Sequence, residues 1–172
     1  MSYSFLQEEK SPKILVQAVK LIGTKEVVGK QHNPVIMDWA KELDLQKVYT
    51  ADEIPWCGLF IAYCAHQAGV EVVDKPLWAL SWANYGTKVT EPMLGDILTF
   101  KRDGGGHVGL YVGEDKDCYH VLGGNQGNAV SVTRILKSRL YQARRTKWKV
   151  AQPANVRKIL LDAKGTISKN EA

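Results

Sequence analysis

The sequence predicts an α+β fold, and two observations carry the prediction. Up to Gly69 the apolar residues recur at spacings of three and four, whereas from Ile97 they fall in short β-rich runs separated by glycine-rich turns. Helical segments first and strands second is the order that packs a helical layer on an antiparallel sheet. The 172 residues, 45% apolar and 24% charged, suffice for one core that needs neither a metal nor a disulfide to hold it together.

Ser11-Pro12, ahead of Ile14, Leu15, Ala18, Val19 and Ile22, predicts an N-capped amphipathic helix ended by Gly23. Asn33-Pro34 predicts the start of a second helix, with Val35, Ile36, Trp39, Ala40 and Leu43 as its buried stripe. Residues 55–69 (PWCGLFIAYCAHQAG) open on a helix-initiating proline, end on a glycine and are apolar on nearly every face, so they predict a central buried helix. A connecting region with Trp78 and Trp82 follows. Strands are predicted over 97–100, 108–112, 119–122, 130–133 and about 141–146, as an antiparallel meander. Gly104-Gly105-Gly106, 113–117, 123–128 and Lys137-Ser138 supply the turns between them. Pro153 allows one last helix over roughly 154–163, and a polar tail from Gly165 is expected to fray. The organisation is therefore one domain over 1–150, then a C-terminal helix and tail over 151–172.

No apolar stretch follows a basic start in MSYSFLQEEK, and no run approaches the ~18 apolar residues of a membrane helix. The expectation is a monomer made in the cytoplasm without a signal peptide, acting elsewhere only after release or export. The net charge is +5, and its excess falls late: Arg134, Lys137, Arg139, Arg144, Arg145, Lys147, Lys149, Arg157 and Lys158 occur with no acidic residue among them. Such an end suits an anionic polymer or surface, or is simply a solvated face. A nucleic-acid partner is not expected, because only Tyr141 and Trp148 are interleaved with these charges as stacking platforms.

Cys57, Cys64 and Cys118 are too few and wrongly spaced for a zinc clasp. Cys57 follows Pro55 by two residues, which puts it in the first turn of the buried helix. There, unpaired backbone N–H groups and the helix dipole favour a thiolate. Cys64 sits mid-helix, where a small core residue is the better reading. A thiol nucleophile needs a base titrating near neutrality, and His107 opens the run HVGLYV directly after three glycines, at a loop-to-strand edge. His32, before a helix cap, and His66, late in the apolar helix, fit structural or exposed positions.

The blocks P-W-C-G-L-F-I-A-Y-C (55–64), L-G-D-I-L-T-F (94–100) and G-H-V-G-L-Y-V-G (106–113), in this order, resemble the NlpC-type papain-like cell-wall peptidases and the related CHAP amidases. The L-G-G-N-Q stretch at 122–126 is similar to that of a subfamily common in bacteriophage lysis modules. The resemblance covers about residues 12–147. It implies a papain-like α+β fold, Cys57 as nucleophile, His107 as base and a structural role for Asp96. It further implies an acyl-enzyme mechanism without a cofactor, acting on an amide in the peptide part of peptidoglycan. A silent wall-binding module and a thiol acyltransferase are the alternatives within the same fold. Trp56, Trp78 and Trp82 are candidates for a groove or for the core.

The third member of the site is open among His120, Asn125 and Gln126, which all follow the strand of His107. Simple NlpC-type enzymes suggest His120, and CHAP-like relatives suggest an asparagine slightly later. Asn125 is favoured, since Gly123 and Gly124 would let its backbone pass close to the imidazole. The catalytic set expected from sequence is Cys57, His107 and Asn125.

Overall fold

The structure is a computed structural model that describes residues 3–8 and 10–171. Met1, Ser2, Glu9 and Ala172, which the readings of the N-terminus and tail include, lie outside the described residues. The helical half comprises α1 (Phe5–Glu8), α2 (Lys13–Lys20), α3 (Pro34–Glu42) and α4 (Cys57–Gln67). A 3-10 turn (Ala79–Asn84) leads into β1 (Thr87–Val89), β2 (Ile97–Arg102), β3 (Gly105–Glu114), β4 (Cys118–Gly123), β5 (Ser131–Leu136) and β6 (Leu140–Arg145). The class is α+β, as the sequence predicts. Among the described residues no helix is long and apolar enough to cross a membrane.

Three of the helices are those the sequence predicts, α1 is not among them, and α2 ends at Lys20, short of Ile22, which is exposed. In α3 the Asn33 side chain accepts from the Val35 N–H at 2.8 Å, and Ile36, Trp39 and Ala40 are buried while Val35 is exposed. In α2 Ile14, Leu15 and Ala18 face the core, but Pro12 itself occupies the N-cap position and Ser11 caps nothing. The Ser11 hydroxyl is buried without a partner. Apolar all round, α4 has Cys57 through Ala62, Cys64 and Ala65 inside. Gly58 is required there, because a Cβ would strike the carbonyls of Pro76 and Leu77.

The sheet is antiparallel throughout, in the order β1-β6-β2-β3-β4-β5. The run β2 to β5 is the expected meander, but β6 crosses back to the free edge of β2, where Ile97 faces Arg144 and Phe100 faces Leu140. β1 was not expected, being three residues long with little pattern, and it pairs on β6. One core joins α2, α3 and α4 to Ile97, Val108, Leu110, Val112 and Leu122. A second, on the alternate residues, gathers Leu98, Phe100, Tyr111, Tyr119, Val121, Ile135 and Ala143.

The C-terminal segment corrects the expectation of a helix and a frayed tail. Residues 154–163 contain no helix. The chain there is extended: the Glu114 N–H donates to the Ile159 carbonyl at 2.8 Å, and the Leu161 N–H donates to the Glu114 carbonyl at 2.7 Å. Further on, Ser168 donates its N–H to the Arg134 carbonyl, and Glu171 is buried. Residues 151–171 are thus bound onto the sheet rather than set apart from it.

Candidate active site

Cys57 begins α4, as its place after Pro55 requires. Its thiol lies against β3, where the amides of Val108, Gly58 and Cys57 itself act on the sulfur. The ladder between β3 and β4 runs from Leu110↔Leu122 to Glu114↔Tyr119, and past it a Cβ on Gly123 would still come within 3.3 Å of the His107 Nε2. The loop after β4 packs on the start of α4: a Cβ on Gly124 would come within 2.8 Å of the Trp56 ring and within 2.7 Å of Phe60. Glycine at 124 is what lets the loop after β4 pack against Trp56 and Phe60.

His107 precedes Val108, and its ring stacks on Phe100 with centroids 6.5 Å apart. Its Nε2 meets the Gln126 Oε1 at 2.9 Å. The Gln126 amide cannot be turned the other way, because its Nε2 donates to the carbonyls of Val121 (3.1 Å) and Ser131 (2.5 Å). Oε1 therefore accepts, and Nε2 of His107 carries the proton. Nδ1 is left with the lone pair. That is the tautomer a general base needs.

The residue that orients His107 is Gln126, and Asn125 does something else. Asn125 has φ +57°, and its Oδ1 accepts from the Trp56 N–H at 3.2 Å. It ties the loop after β4 to the residue before Cys57, so it positions α4 rather than the imidazole. His120 belongs to a separate buried network, with the Tyr3 hydroxyl at 2.8 Å and the Asp115 carboxylate at 2.8 Å. Asp115 is shared with Arg134, and these contacts hold it well below the usual carboxylate range despite its burial.

Cys57 and His107 are both buried, at 4% and 1% exposed. Burial pushes the Cys57 thiol up, and it lowers the His107 imidazole to about 4 against the opposing pull of the Glu171 carboxylate and the Gln126 amide. In this closed state both are neutral at pH 7, and no hydrogen bond joins them among the described residues. The proton sits on sulfur, and His107 stands one residue from the strand amide of Val108 that acts on the thiol.

The other residues singled out by sequence fall as follows. Cys64 and Cys118 are free, buried thiols. His66 is exposed at the far end of α4, and His32 pairs with Asp52 at 3.0 Å. Asp96 accepts from the Met93 N–H and holds Arg145 through both carboxylate oxygens, a structural part. Trp56 and Trp82 are core, whereas Trp78 is 73% exposed. It stands in the loop whose Pro76 and Leu77 press on Gly58 and whose Leu80 presses on Gly106. Sequence reasoning missed the surroundings of His107 altogether: Arg102, Arg139 and Glu171 all act on it. They come from three distant places in the chain, and no local motif joins them.

Compared with known proteins, the chain matches no family model and no curated sequence.

Proposed function

We propose that this chain is a papain-like cysteine hydrolase that cuts an amide bond in the peptide part of peptidoglycan. The observation that carries the reading is the tautomer of His107, fixed by Gln126 beside a thiol at a helix N-terminus. The resemblance of the three sequence blocks to cell-wall peptidases supplies the substrate class.

In the reaction, Nδ1 of His107 takes the proton as Cys57 Sγ attacks the amide carbonyl, and the oxygen that becomes negative is stabilised by backbone N–H groups at the start of α4. The imidazolium, kept in plane by Gln126, returns the proton to the leaving amine. Water, deprotonated by the same nitrogen, then releases the acyl group. The missing thiol–imidazole contact fits a resting state whose catalytic hydrogen bond tightens only with substrate. Burial suits the chemistry, since charges that develop away from water are strongly stabilised by fixed dipoles.

The test is digestion of purified peptidoglycan with mass spectrometry of the new termini. The wild type should release peptides with new amine and carboxylate ends. Cys57→Ala should release none while keeping its circular dichroism, and Cys64→Ala and Cys118→Ala should retain most turnover. Cleavage by Cys57→Ala at the wild-type rate would overturn the reading.

A further inference from the structure

The last described residues lie beside the catalytic pair, held by charged and polar bonds. Glu171 is clasped by Arg139 through both carboxylate oxygens, at 2.7 and 2.9 Å, and accepts from the Ser168 hydroxyl at 3.1 Å. Its carboxylate is fully buried. Its main-chain carbonyl accepts from the Gly127 N–H, next to the glutamine that holds His107. Arg102 donates to the Asn170 side chain at 2.7 Å. The two arginines belong to the end of the sheet where His107 stands: Arg102 closes β2, Arg139 leads into β6, and Phe100 faces both His107 and Leu140.

These parts differ in how firmly they are held. Arg102 is on a paired strand and Arg139 in a 3-10 turn between two strands, so both stay in place whatever the tail does. Glu171 arrives on a segment without helix or extended strand pairing, and burying a lone carboxylate is unfavourable unless a built site receives it. A planar, bidentate guanidinium is what such a site requires.

We propose that Arg139, flanked by Arg102, is a carboxylate-binding subsite of the catalytic centre, and that the free chain fills it with its own Glu171. The substrate class follows: amides that carry a free carboxylate close to the bond cut, a property of peptides with acidic or C-terminal residues. The tail is then a tethered competitor whose carboxylate acts on His107. This deepens the hydrolase reading and rests on it for the identity of the substrate, but the subsite has a test of its own.

Cys57 is alkylated by iodoacetate and by iodoacetamide, and sites are assigned by peptide mass spectrometry. In both reactions the thiolate displaces iodide and forms a carbon–sulfur bond. The reagents differ in that only one bears a carboxylate. In Glu171→Gln both should react faster at Cys57 than in the wild type, and the iodoacetate-to-iodoacetamide ratio should rise roughly tenfold, the lower end of the scale of one added charge-assisted hydrogen bond. Adding Arg139→Gln should abolish the rise, and adding Arg139→Lys should leave part of it, since the charge remains and the fork is lost. A ratio that is the same in the wild type, Glu171→Gln and Glu171→Gln/Arg139→Lys would overturn the subsite. Peptidoglycan takes no part in this measurement, so failure of the chain to cut cell wall and failure of the subsite are read separately.

Discussion

Gln126 and Asn125 are adjacent amides with different tasks, and the backbone decides which does which. At φ +57° Asn125 turns its side chain toward Trp56, and the next residue faces His107. Gln126→Ala should lower kcat roughly a hundredfold, the scale of a lost acid–base contribution, with little change in KM, and should lower the melting temperature too, because the Val121 and Ser131 carbonyls lose their donor. Asn125→Ala should lower the melting temperature as well as kcat, because the start of α4 loses its tie to the loop. The pH profile of kcat separates the two, since only Gln126 contacts the imidazole and only its loss should shift the profile, and a Gln126→Ala enzyme of unchanged kcat would remove Gln126 from the mechanism. The places of Cys57 at the start of α4 and of His107 in β3 were legible in the sequence because Pro55 and the glycine run before His107 are local signals. The choice between Asn125 and Gln126 was not, since a left-handed residue in a Gly-Gly-Asn-Gln-Gly loop reverses a side chain without marking the sequence.

At the scale of elements, the C-terminal segment shows how a helical pattern can be overruled. Val156, Ile159 and Leu160 have helical spacing, yet Leu160 is 75% exposed and Ile159 packs on the core. The edge of β3 offers both an N–H and a carbonyl at Glu114, and the bare Gly113 leaves room where a Cβ would strike Leu161. Main-chain bonds plus that seat outweigh intrinsic propensity over so short a stretch. Gly113→Ala should therefore loosen the segment at a cost of about 1–3 kcal/mol. Urea unfolding and limited proteolysis within residues 151–171 check this, and unchanged cleavage there would disprove the seat. The crossing of β6 onto β2 was equally invisible, because pairing partners on a sheet edge depend on what else is free rather than on the strand's own pattern.

Over the whole molecule, the basic end proves to be largely internal wiring. Arg134 binds Asp115, Lys137 and Lys158 bind Glu114, Arg139 binds Glu171 and Arg145 binds Asp96, so five of the nine cations face carboxylates of this chain. The linear excess of charge was legible, but its partners, remote in sequence, were not. Protonation links the site to global stability. His107 lies at about 4 when folded, against an ordinary 6.5. The unfolded chain therefore binds a proton that the folded chain refuses, and stability present above pH 6.5 is lost as pH falls toward 4. The loss for this group approaches about 3 kcal/mol. Urea midpoints at pH 7 and pH 4.5 should differ less in His107→Gln than in the wild type. An equal difference would mean that His107 is not the group responsible. The placement of β6 also governs how the molecule assembles. β2 meets β3 across a two-residue turn but meets β6 only after the chain has travelled through β3, β4 and β5. Closing that long loop is slow, and until it closes β2 presents a bare row of N–H and carbonyl groups. A refolding chain is therefore most open to sticking to its neighbours before β6 arrives, and dilution should raise the yield of active protein more than added time.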